Sequence, residues 1–79
     1  MNNQKTLRFL KRQGYPLKYI RRALCLMNEI EDADMARPLG VTRACVQQYI
    51  NGIRYDHKIQ EVIAAFLHVN REDLFTEQR

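Results

Sequence analysis

Apolar residues along this chain recur at three- and four-residue intervals and never settle into sustained alternation, so the pattern predicts helices throughout and no strand. Leu7 and Leu10, with Phe9 to one side, predict a short amphipathic helix over 6–13, closed by Gly14. Pro16 suits the opening turn of a second helix, in which Leu17, Ile20, Leu24 and Met27 form the inward stripe while Lys18, Arg21, Arg22 and Cys25 face elsewhere. A third helix is expected over 31–39, with Ile30, Met35, Ala36 and Leu39 inward and the acids Glu29, Glu31, Asp32 and Asp34 gathered at its positive end. Pro38 removes one hydrogen bond near the end of that helix and predicts a kink or an early stop. Gly40 breaks it. Thr42 caps the next helix, whose buried side is Val46, Tyr49 and Ile50 and which ends at Asn51 and Gly52. Asp56 caps a further helix carrying Ile59, Val62, Ile63, Phe66 and Leu67, and Asn70 caps a final turn holding Leu74 and Phe75. The expected fold is all-α, a compact bundle of five short helices with room for a sixth.

At 79 residues the chain makes one small globular domain, divided here into a basic N-terminal segment, 1–14, and a helical domain, 15–79. A core this small is marginal alone, so a homodimer is expected. No run reaches the roughly 20 apolar residues that cross a bilayer, and residues 2–4 are amides rather than the head of a targeting segment, so the expected location is the cytoplasm, on the nucleoid, with no membrane partner. Cys25 and Cys45 are too few for a disulfide scaffold and, with only His57 and His68, match no zinc spacing; both are read as reduced thiols, with no metal and no cofactor. No third residue stands out to orient a Cys–His pair, and there is little room for a cleft, so neither enzyme activity nor a small-molecule ligand is expected.

Charge sharpens this picture. The chain carries a net +4, but residues 1–27 hold Lys5, Arg8, Lys11, Arg12, Lys18, Arg21 and Arg22 with no acid at all, while the acids collect after Asn28. A segregated basic balance suggests a defined face turned toward a polyanion.

The informative stretch is 32–53, DADMARPLGVTRACVQQYINGI. Met35, Leu39, Val41, Val46 and Tyr49 supply a core between two crossing helices, Ala36 has no bulk to hold them apart, and Gly40 permits the left-handed backbone of a tight turn. On these residues the stretch looks like a helix-turn-helix. VTRACVQQYINGIR and the following KIQEVIAAFLHVNREDLF together make the chain from about Ile30 to Phe75 resemble the Cro and phage-repressor type of DNA-binding domain, including its smaller Ner-like relatives. The resemblance implies a bundle that lays its third core helix in the major groove, usually as a dimer on a two-part operator. Asp32 departs from the pattern, standing where the family often has a Gln that approaches the DNA backbone, and a carboxylate there repels phosphate.

Under that resemblance the base-reading candidates are Thr42, Arg43, Ala44, Gln47 and Gln48: Arg43 for guanine, a glutamine for adenine, and Ala44 or the Thr42 methyl for thymine. The backbone-anchoring candidates are Asn51, Arg54, Tyr55, His57 and Lys58, helped by free amides at the start of the following helix. Lys5, Arg8, Lys11 and Arg12 form a candidate DNA-contacting arm. His68 is given no role, and Leu74, Phe75 and the tail serve either a dimer surface or the core. The leading expectation is a sequence-specific double-stranded DNA-binding regulator, of the repressor kind found in phages and mobile elements. The alternatives are an antitoxin that represses its own operon and holds a toxin, or a basic protein-interaction adaptor.

Overall fold

Asn2 stands with extended backbone at the head of the first helix, and its side-chain oxygen accepts the Lys5 N–H at 3.1 Å. That cap starts α1 at Asn3, so the helix spans Asn3–Arg12, three residues earlier than the first apolar position suggests. The computed structural model describes residues 2–76; position 1 of the expected basic segment and positions 77–79 of the expected domain lie outside them. Five more helices follow: α2 Leu17–Met27, α3 Asp32–Leu39, α4 Arg43–Ile50, α5 His57–Phe66 and α6 Arg71–Phe75. Among the described residues there is no strand, and no helix is long and apolar enough to cross a membrane.

One device ends the first five helices. After each, the chain enters the left-handed region at Gly14, Glu29, Gly40, Gly52 and His68. The next amide then reaches back five residues, as Val41 N–H does to the Ala36 carbonyl at 3.2 Å and Val69 N–H to that of Ala64 at 3.1 Å. This Schellman geometry satisfies carbonyls that a helix end leaves without partners. Gly40 takes it at φ 68°, one residue past Leu39, so α3 runs through Pro38 and stops directly after it. His68 therefore has a structural part to play, and Glu29 belongs to the end of α2 rather than to the start of α3.

The second helix corrects the sequence reading most. Arg21 and Cys25 do not face elsewhere: they are 1 % and 0 % exposed. At about 100° per residue, Arg21 lies about 40° from Leu17 and Cys25 about 80°, so the two widen the buried arc beyond its Leu17 edge. Met27 falls at the opposite edge of that arc and is exposed. The arc is this wide because α2 packs against three helices, α1, α4 and α6. A narrower stripe would serve one neighbour.

The Arg21 guanidinium is held among carbonyls. Its Nε donates to the Ile50 oxygen at 2.7 Å and its Nη1 to the Leu74 oxygen at 2.9 Å, so one side chain caps the C-termini of α4 and α6, over the face of Phe75 at 5.0 Å. Leu74 and Phe75 close the core.

The N-terminal helix is built into the bundle. Leu7 is fully buried, Asn3 Nδ2 donates to the Leu67 carbonyl at 2.7 Å, and α1 packs on α2 and α6. Asn70 stands at the head of α6, but its side chain makes no cap; instead Gln4 serves this helix start, accepting the Asn70 N–H at 2.8 Å and donating to Asp73 Oδ2 at 2.7 Å.

Candidate nucleic-acid interface

Thr42 begins α4 with extended backbone, and its hydroxyl oxygen accepts the Cys45 N–H at 3.1 Å. From that start the helix divides into two faces. Val46, Tyr49 and Ile50 are buried, seated against α2 and α3, while Arg43, Ala44, Gln47 and Gln48 are exposed on an arc of about 140°. Thr42 is exposed beside them, so all five base-reading candidates share one solvent-facing surface. Cys45 sits at the border, half-buried.

Val41 and Met35 pack between α3 and α4, and Ala36, only 5 % exposed, gives the close approach that its lack of bulk suggests. The crossing opens a groove lined by Glu31, Asp32 and Ala33 from the head of α3 and by Thr42, Arg43, Ala44 and Gln47 from the head of α4. Asp32 is not a bare carboxylate in that groove. Arg22 of α2 meets it with two nitrogens, Nη1 to Oδ1 at 3.0 Å and Nη2 to Oδ2 at 3.4 Å, and the pair is partly buried. The repulsion expected toward phosphate is therefore offset by a guanidinium that the sequence reading had left on the outer side of α2.

The anchoring candidates Asn51, Arg54, Tyr55, His57 and Lys58 are all exposed, on the loop after α4 and the first turn of α5. Ile53 and Arg54 N–H both return to the Gln48 carbonyl, at 2.9 and 3.3 Å, folding the loop back along the end of α4. Arg54 Nη1 reaches Cys45 Sγ at 3.2 Å, which holds this cation at the flank of the same helix. Two local details weaken the expected anchor. Asp56 Oδ1 accepts the Lys58 and Ile59 N–H groups, so those amides at the start of α5 are already engaged, and His57 Nε2 stands 3.6 Å from Glu61 Oε1.

Lys5, Arg8, Lys11 and Arg12 are exposed but stand on α1, which packs against α2 and α6 and not beside the exposed face of α4. Lys11 Nζ donates to the Asp73 carbonyl at 3.2 Å. The structure thus gathers the base-reading and loop candidates into one region and leaves the four N-terminal cations in another. Sequence reasoning missed Arg21 and Arg22, although the helical wheel of α2 carried the signal for Arg21. Among the described residues no group of three or more His, Cys, Asp or Glu is placed to hold a metal ion. No family model matches the chain, and no curated protein or solved structure matches it.

Proposed function

We propose that the chain is a sequence-specific double-stranded DNA-binding regulator, of repressor type, that reads the major groove with α4 as the second helix of a helix-turn-helix. The observation that supports this reading is the division of α4: Val46, Tyr49 and Ile50 clamp it from behind while Arg43, Ala44, Gln47 and Gln48 are exposed on the opposite side. A short helix held along one side and bare along the other fits a groove that admits one helix. Arg43 offers the forked donor pair that matches guanine O6 and N7, and the two glutamines offer the donor and acceptor that match adenine. Arg54, Lys58 and Asn51 then meet phosphates at the C-terminal end of α4, and Arg22, held by Asp32, meets them at the head of α3. The N-terminal cations are not needed for this contact.

Selection of duplexes from a random pool by the purified chain tests the proposal. The expected result is a two-fold symmetric consensus bound about a thousandfold or more tighter than random duplex at physiological salt, as a dimer. Arg43→Ala and Gln47→Ala then each relax one position of the consensus, with a loss of about 1–3 kcal/mol. Equal affinity for selected and random duplex overturns the reading.

A further inference from the structure

The solvent side of α1 carries a row of charge that the proposed contact of α4 leaves unused. At about 100° per residue, Lys5, Arg8, Phe9 and Arg12 fall within an arc of about 100°, directly opposite Asn3, Leu7 and Leu10, which face the bundle. All four are exposed, Phe9 by 53 %. Lys11 lies to one side, where its Nζ donates to the Asp73 carbonyl at 3.2 Å.

Such a row is not the pattern of a solvated helix face. Exposed helices are stabilised by an acid set three or four residues from a base, whereas Lys5 with Arg8 and Arg8 with Arg12 place like charges at those spacings and oppose the helix. No acid precedes Glu29, and among the described residues none of these three cations is ion-paired. An anion lying across the row removes the repulsion.

The layout selects the anion. From Lys5 to Arg12 the row runs about 10 Å along the helix. A duplex presents one negative charge per about 1.7 Å of its axis, so its backbone meets all three cations. A single strand bound without regard to sequence stacks successive bases on successive rings, and this arc carries one ring. A lipid surface takes a helix by its apolar side, and that side of α1 is turned into the bundle. An interface with an acidic protein is apolar at its centre and charged at its rim, the reverse of this face.

We propose that the outer face of α1 is a second, sequence-independent contact for the phosphate backbone of duplex DNA, with Lys5, Arg8 and Arg12 on phosphates and Phe9 against the sugar carbons between them. It points away from α2, on which α4 also packs, so it holds phosphates outside the groove that α4 is proposed to occupy. This contact does not need α4.

Chemical-shift mapping of the full chain with a random duplex of about 12 base pairs at low salt tests it. The amides of residues 5–12 are expected to move, and the double variant Arg43→Ala, Gln47→Ala keeps those shifts. In that background, read at the same amides, adding Lys5→Gln, Arg8→Gln and Arg12→Gln together weakens the duplex at least about tenfold. It also lowers the slope of log affinity against log salt by about two to three, since each phosphate neutralised contributes about 0.9. The urea midpoint stays level or rises, because like charges are removed. Phe9→Ala weakens the duplex about twofold to fivefold with the slope unchanged, since a ring releases no counterion. The proposal is overturned if residues 5–12 stay unmoved, if their shifts vanish in the Arg43→Ala, Gln47→Ala variant, or if the three glutamines leave the slope as it was. Tighter occupation of this face by oligothymidylate or by phosphatidylserine vesicles than by the duplex overturns it too. Failure of the duplex selection, which tests α4, leaves each of these outcomes as it stands.

Discussion

Two residues sit in backbone conformations that their side chains disfavour. Glu29 and His68 occupy the left-handed region at φ 55° and 56°, where Gly14, Gly40 and Gly52 do the same work elsewhere in the chain. Both are exposed, so their side chains hold no packing that offsets the strain. His68→Gly is expected to raise the unfolding free energy by about 0.5–1 kcal/mol in urea denaturation, with no loss of duplex binding. A destabilised variant counts against the Schellman account of that helix end. At the groove, Asp32 places a carboxylate near the proposed phosphate path, compensated by Arg22. Asp32→Gln removes that charge and frees the guanidinium, so binding to selected and random duplex is expected to tighten alike by several-fold, with a steeper dependence on salt measured by anisotropy titration. Tightening confined to the selected site contradicts a backbone role. The Thr42 and Asp56 caps were legible because a short polar side chain before an apolar repeat has one common purpose; the absent Asn70 cap was not, because Gln4 comes from the far end of the chain.

Among the elements, α2 sets the geometry of the others. It touches α1, α4 and α6, and through Arg21 it holds the final carbonyls of α4 and α6 at once. Arg21→Met keeps much of the volume but leaves the Ile50 and Leu74 oxygens without these donors. Its expected cost is about 3 kcal/mol, read as a lower midpoint in urea, with Arg21→Lys recovering only part because one ammonium replaces a planar fork. An unchanged midpoint sinks the idea that this guanidinium ties α4 to α6. The α3–α4 pair was the most legible part of the molecule. Ala36, Gly40, Thr42, Val46 and Tyr49 each carry a local instruction, and all are met within one short stretch of chain. The inward turn of Arg21 was legible only in part: its wheel position beside Leu17 pointed inward, but a lone arginine on a helix beside other cations matches a solvated face until three neighbours surround it.

For the whole molecule, the buried thiol at the centre gives stability a dependence on alkaline pH. Burial pushes Cys25 up from 9.0 to about 11, with Arg22 opposing and Asp32 assisting. The folded chain holds this proton where the unfolded chain releases it, so the effect is absent below pH 9. Stability then falls as pH rises from 9 to about 11, by about 2–3 kcal/mol over the window. Burial raises Tyr49 in the same sense and extends the decline. Urea denaturation at pH 8 and pH 10.5 should show this loss, and Cys25→Ala should reduce the slope; an identical slope in the variant removes the thiol as its cause. Leu7 and Asn3 likewise act at this scale, because they make the basic N-terminus part of the bundle and place its cations at a distance from α4.

Helix content, most helix ends, and the inward and outward faces of α4 were determined by the order of residues alone, because each depends on side chains no more than one or two turns apart. Only the tertiary structure decided which helices close over Arg21 and Cys25, that Arg22 neutralises Asp32, that Gln4 serves the head of α6, and that the N-terminal cations stand apart from α4. Those outcomes rest on contacts between residues separated by 10 to 69 positions. Local periodicity carries no information about which distant surface arrives to complete them.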